Sequence, residues 1–124
     1  MLEDDADDRH ITETTISELG YSIPIKFLSY GRELITYLTQ AEEPCLILVD
    51  YNPVTGVDTI RQLKTHPDFN HIPLIVLSEV ASPNHIRQCY QLGASSVIKK
   101  PGTAEMTKHK IELFFKYWFE AAEV

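Results

Sequence analysis

Acidic, hydroxyl and ammonium side chains stand directly after short apolar runs in this sequence. Together they have the makings of phosphoryl transfer onto a carboxylate. Glu3 and Asp4 follow Leu2, and Asp50 closes the run Leu46-Ile47-Leu48-Val49. Ser78 closes Pro73-Leu74-Ile75-Val76-Leu77, and Lys100 comes after Ser96-Val97-Ile98-Lys99. Carboxylates crowded at one place repel, and at least one resists ionisation unless a cation is present. Hard oxygen ligands suit Mg²⁺, which shares its coordination shell with phosphate and water. Around such a metal, one carboxylate attacks phosphorus, the metal and the lysine neutralise the phosphoryl oxygens, and the hydroxyl holds one of them.

Each of these residues alone has an ordinary explanation. An Asp or Ser after a strand is usually a turn residue or a helix cap. A Lys-Pro pair is usually a surface loop, and acidic residues near a helix start favour the helix dipole. The run Glu3-Asp4-Asp5-Ala6-Asp7-Asp8 taken by itself reads as a solvated acidic tail. Their joint appearance, each at the end of an apolar run, is what favours a site.

The elements that must position them follow from hydrophobic periodicity. Runs of four to six apolar residues rich in Val and Ile fit strands buried on both faces of a parallel sheet. Pro24-Ile25-Lys26-Phe27-Leu28 alternates and suits an edge strand. The intervening stretches read as helices. Residues 6–19 place Ile11, Thr15 and Leu19 on one face before Gly20; residues 31–40 carry Leu34, Ile35 and Leu38. Residues 55–66 carry Val57, Ile60 and Leu63 and stop before Pro67. Ser82-Pro83 starts a helix that runs to Gly93, and Thr103 caps a last helix reaching about residue 121. This alternation predicts a doubly wound α/β fold, a parallel sheet of five strands with five helices on both faces. Ligands of such folds sit at the carboxyl ends of the strands, where the strand order reverses.

Composition narrows the function classes. The 124 residues amount to a single domain, 1–124, with 44% hydrophobic and 23% charged residues. The net charge of −7 argues against nucleic acid as a partner. No apolar run approaches a membrane span, and the acidic start is unlike a targeting peptide. Cys45 and Cys89 lack metal-ligand spacing and are expected to be buried thiols in a reducing cytoplasm. The five histidines are scattered and suggest no metal cluster.

Over nearly its whole length the sequence resembles the CheY-like receiver domain of two-component response regulators. The resemblance rests on Leu2-Glu3-Asp4-Asp5, Leu46-Ile47-Leu48-Val49-Asp50, Ile75-Val76-Leu77-Ser78 and Gly93-Ala94-Ser95-Ser96-Val97-Ile98-Lys99-Lys100-Pro101. It implies the flavodoxin-like strand order 2-1-3-4-5 and a module that signals without being an enzyme. By this resemblance Asp50 is the phosphoacceptor, Ser78 the switch hydroxyl and Lys100 the phosphoryl-binding lysine. Glu3, Asp4 and Asp50 would hold Mg²⁺, with the backbone carbonyl of Asn52. The Lys100–Pro101 peptide is typically cis in the family. The implied phosphoryl donor is a sensor histidine kinase or a histidine phosphotransfer protein. The opening Glu-Asp-Asp-Ala-Asp-Asp-Arg and the closing Phe-Lys-Tyr-Trp-Phe resemble stand-alone receivers, including those that partner bacteriophytochromes. No output domain is recognisable, so the signal is expected to pass by protein–protein contact.

The sequence departs from the family pattern in four places. Met1-Leu2 leaves the first strand almost no length, so the natural chain is expected to extend upstream. Two residues fewer than usual separate Asn52 from Gly56; either the loop is short or residues are absent there. Val97 stands where the family carries a switch aromatic, which blunts that relay, and Glu79 follows Ser78 where small residues are common. The last helix is rich in aromatics (Phe114, Phe115, Tyr117, Trp118, Phe119). Two or three are expected to pack inward, and the rest could form a homodimer face through the fourth and fifth helices. A phosphorylation-independent pseudo-receiver is one alternative function. A phosphatase with an aspartate nucleophile is another, but it needs an Asp where Asn52 stands.

Overall fold

A computed structural model describes residues 1–50, 56–79, 82–100 and 103–123. The three Val- and Ile-rich runs form parallel strands: β1 (Ile47–Asp50), β2 (Leu74–Ser78) and β3 (Ser96–Lys99), ordered β1-β2-β3. The register pairs Val49 with Val76, Asp50 with Leu77 and Ser78 with Lys99, so the polar strand ends gather at one edge. All five residues of β2 are buried, as its central place demands, while β3 is half-buried at the sheet's edge.

The five expected strands are therefore three among the described residues. The two missing ones survive as single bridges, in which Leu2 pairs in parallel with Leu28 on one side and with Val49 on the other. The Leu2 amide donates to Leu48 O at 2.7 Å, and the Glu3 amide donates to Leu28 O at 2.9 Å. The spatial sequence Leu28, Leu2, β1, β2, β3 matches the expected order. A ladder, however, needs consecutive bridged residues on both partners, and here Leu2 alone is bridged on either side. The pairing amounts to one bridge on each side.

Among the described residues five α-helices cover the sheet: α1 (Ala6–Glu18), α2 (Arg32–Gln40), α3 (Gly56–Thr65), α4 (Pro83–Gln91) and α5 (Ala104–Lys116). The last continues as a π-helical turn over Tyr117–Ala121, near the expected end. Local chemistry sets the boundaries. Asp5 accepts from the amides of Asp7 and Asp8 to cap α1, Ser82 caps α4 ahead of Pro83, and Thr103 caps α5. Gly93, at φ +110°, takes the left-handed turn after α4 that a side chain would strain.

Strand alternation sends side chains to two cores. Val49, Leu74 and Val76 pack with Leu34, Leu38, Ile60, Leu63 and Cys89 from α2, α3 and α4. Leu48, Ile75 and Leu77 face the other way, against Ile16 of α1 and Ile111, Phe114 and Phe115 of α5. Each such side chain contributes about 1.5–3 kcal/mol by leaving water, so the strand ends rest on a stiff base.

Two expectations shift in detail. The buried face of α1 is Thr12, Thr15 and Ile16; Ile11 and Leu19 are only half-buried. The threonine hydroxyls can be buried because each donates to its own preceding turn, Thr12 to Asp8 O and Thr15 to Ile11 O. Cys89 is buried as expected, but Cys45 is exposed because pairing begins only at Ile47. Of the aromatics, Phe114 and Phe115 are buried, Trp118 and Phe119 are half-buried, and Tyr117 is exposed.

Candidate functional site

The strand ends converge on one ammonium group. Lys100 Nζ lies 2.7 Å from Asp50 Oδ1, 3.0 Å from Asp8 Oδ2 and 3.3 Å from Glu3 Oε2. Oxygens of Glu3, Asp8 and Asp50 all fall within 4.8 Å of one another. The lysine is aimed by its backbone, since its amide donates to Ser78 O at 2.8 Å across the β2–β3 edge. Glu3 is fixed by its neighbours on both sides. Its Oε1 accepts from the Asp5 amide at 3.1 Å, and its carbonyl accepts from Arg9 Nε at 2.6 Å. Arg9 reaches on to Ser29 Oγ and lies over the Phe27 ring, tying α1 to the segment before α2.

The electrostatics follow from burial. The Glu3 side chain is fully enclosed. Burial is the largest influence on its carboxyl and, with the Asp50 charge beside it, pushes its pKa up from 4.5 to about 7, against the pull of the Asp5 amide and Lys100. Burial alone would lower the Lys100 pKa, but hydrogen bonds to Asp50 and Asp8 outweigh it and raise the value above the usual lysine range. The arrangement is a carboxylate, Asp50, held open to solvent on one side and neutralised by a fixed cation on the other.

The expected site residues are placed as follows. Glu3, Asp50 and Lys100 are in direct contact. Asp4 is exposed and lies outside the close carboxylate group, although it lines the same crevice of about 450 Å³ with Glu3, Asp50, Tyr30, Arg32 and Asp58. Ser78 is buried at the end of β2, its Oγ 3.4 Å from His85 Nε2. Asn52 and the Lys100–Pro101 peptide fall outside the described residues. Val97 is half-buried on β3, and its amide donates a hydrogen bond to the hydroxyl oxygen of the exposed Tyr90. Glu79 is exposed.

Sequence reasoning missed two residues. Asp8 takes a place in the carboxylate group, and Arg9 positions Glu3. The signal for Asp8 was the cap: with Asp5 as the N-cap, Asp8 falls in the first helical turn and points back toward the strand that ends at Glu3.

The parallel α/β sheet thus gathers acid, hydroxyl and lysine at its carboxyl edge, where folds of this class bind their ligands. The chain belongs to the response regulator receiver domain family, whose family model matches residues 1–112. Among curated relatives, chemotaxis protein CheY1 of Helicobacter pylori is 24% identical over 115 residues, covering 91% of this chain and 92% of that protein. Among solved structures, the Mn²⁺-bound form of response regulator Rcp1 superposes with a TM-score of 0.89 at 20% identity, covering 99% of this chain and 94% of that one. The phosphorylated cyanobacterial phytochrome response regulator RcpA gives 0.85 at 23% identity, covering 98% and 93%. The receiver fold is thus established, as is the class of two-component signalling proteins to which the family belongs. Among the described residues, no helix is long and apolar enough to cross a membrane.

Glu3 makes a pH prediction. Its folded pKa, about 7, exceeds its ordinary 4.5. The folded state therefore holds the proton more tightly, and the resulting stabilisation is full below 4.5 and lost as pH rises through 7. Urea denaturation without divalent ions should show wild-type stability falling across that window. Glu3→Gln, permanently neutral, should lack this part of the fall; identical pH slopes would exclude a raised Glu3 pKa.

Proposed function

We propose that residues 1–124 act as one receiver domain in which Asp50 accepts a phosphoryl group from a sensor histidine kinase or a histidine phosphotransfer protein. The observation that carries this reading is the Lys100 ammonium 2.7 Å from Asp50 Oδ1, itself anchored by Glu3 and Asp8. An Asp50 oxygen attacks phosphorus, the phosphorus–nitrogen bond of the donor phosphohistidine breaks, and the imidazole leaves to take up a proton. Lys100 holds a charged phosphoryl oxygen, and the Ser78 hydroxyl donates to another once the group is in place. The product adds about −1.5 to −2 charges, by analogy with other phosphorylated side chains, beside Asp8 and Glu3. That charge draws on the same lysine, so the contacts joining α1, β1 and the end of β3 rearrange. A partner protein reads the new surface.

The hard oxygen donors fit a divalent cation of the Mg²⁺ type, with Glu3, Asp4 and Asp50 as its side-chain ligands, Asp8 close by, and the Asn52 carbonyl as a further donor. Bound there, Mg²⁺ supplies charge neutralisation for the phosphoryl oxygens. The reading also places the domain in the cytoplasm, where its donor's phosphohistidine forms.

With Mg²⁺ and acetyl phosphate, wild-type protein should gain one phosphoryl group by intact-mass spectrometry. Asp50→Asn should gain none, and Lys100→Ala should gain it at least about tenfold more slowly. Equal modification of Asp50→Asn sinks the assignment.

A second copy of the chain is the proposed partner of α4 and α5. Met106 and Leu113 of α5 and Tyr117 of the π-helical turn that continues it are exposed, and Tyr90 is exposed on α4. Sedimentation should show a concentration-dependent dimer that Leu113→Glu with Tyr117→Glu abolishes. A wild type that stays monomeric as concentration rises excludes this interface.

A further inference from the structure

The crevice that opens onto Asp50 is acidic, with one exception. Glu3, Asp4, Asp50 and Asp58 line this space of about 450 Å³, and so do Tyr30 and Arg32. Among the described lining residues Arg32 is the only base. It belongs to neither the carboxylate cluster nor the lysine that neutralises it.

Its position is set by the start of α2. Leu34 and Leu38 anchor that helix in the core. A Cβ at Gly31 would strike Thr59 Oγ1, so α2 begins as close to α3 as a glycine permits. Two contacts then orient the arginine. The Tyr30 amide donates to Glu33 Oε1 at 2.9 Å, which holds the tyrosine at the helix start. The Arg32 guanidinium lies 4.4 Å from the centroid of the exposed Tyr30 ring. Stacking holds a guanidinium by its face and leaves its N–H edge uncommitted. Among the described residues Arg32 makes no ion pair.

Charge decides what that edge suits. An arriving phosphoryl group is anionic, and Asp4, Asp50 and Asp58 all repel it. The Arg61 partner of Asp58, at 3.5 Å, belongs to an exposed pair and offsets little. Lys100 is occupied at this stage, because its three N–H donors face Asp50, Asp8 and Glu3. A guanidinium edge, by contrast, takes two phosphoryl oxygens at once.

Building on the reading of Asp50 as phosphoacceptor, we infer that Arg32 receives the donor's phosphoryl group in the crevice, oriented by the Tyr30 ring, before the group passes to Asp50. Arg32 meets the phosphoryl oxygens and not the rest of the donor, so it serves any donor that carries the group. After transfer, Lys100 and Ser78 hold the phosphoryl group and Arg32 lets it go.

The test measures second-order rate constants for phosphorylation of the full chain with Mg²⁺, followed by intact-mass spectrometry. Acetyl phosphate and phosphoramidate serve as donors, since they share the phosphoryl group and differ in the leaving group. In about 1 M KCl the screening length is about 3 Å, so a change of net charge is not felt at a distance. There, Arg32→Gln should lower the rate constant at least about tenfold with both donors. Arg32→Lys, which keeps a charge without the fork, and Tyr30→Leu, which keeps the fork without its platform, should each fall less. The first-order loss of the phosphoryl group from Asp50 should stay within about twofold of wild type in all three. A smaller fall for Arg32→Gln with either donor overturns the inference. A larger change in the loss step overturns it too, because Arg32 would then act on the site as a whole. If the wild type itself gains no phosphoryl group, the assignment of Asp50 fails and this inference with it.

Discussion

The charge balance around Lys100 is the constraint on which the rest of the structure depends. Glu3 and Asp50 present oxygens within 4.8 Å of each other, largely out of water. At an effective dielectric of about 20, two such charges repel by about 3–4 kcal/mol. That is a large share of the whole stability of a small domain. The molecule meets it in two ways: Glu3 holds its proton up to about pH 7, and the Lys100 ammonium sits against all three carboxylates. Under the proposed function, a divalent cation and a phosphoryl group would each alter this balance at the same few atoms.

The fold's task is to hold those charges in place. The fully buried β2 fixes Ser78, whose carbonyl receives the Lys100 amide and so aims the lysine inward. Leu2, bridged to Leu28 and Val49, sets Glu3 beside Asp50. Arg9 fastens the Glu3 carbonyl from α1 while its guanidinium lies over Phe27. A change of charge at Asp50 is therefore felt at once by β1, by the end of β3 and by the first turn of α1, because each supplies one member of the cluster.

Much of this was legible in the sequence for a simple reason. Apolar runs buried on both sheet faces end abruptly where the chain reaches the open edge, so Asp50, Ser78 and Lys100 announce themselves by position. Glu3 does so too, after a strand of almost no length. Asp8 was not legible, because in an acidic run every residue looks equally solvated; only the cap at Asp5 and the turn that follows separate it from its neighbours. Asp4 shows the reverse, adjacent to Glu3 in sequence yet exposed at the crevice rim. The buried face of α1 was displaced because threonines look polar until their hydroxyls bond the preceding turn. Strand count failed where pairing is too short to make a ladder: residues 24–28 alternate like a strand, but among the described residues of that segment Leu28 alone forms a bridge.

The role of Lys100 as counter-ion is open to one direct measurement, the calorimetric titration of Mg²⁺ into wild-type protein and into Lys100→Met. Removing the ammonium leaves Asp8 and Asp50 facing each other beside Glu3, so the variant should bind Mg²⁺ more tightly by at least about tenfold. Unchanged or weaker binding would contradict the view that Lys100 neutralises this cluster.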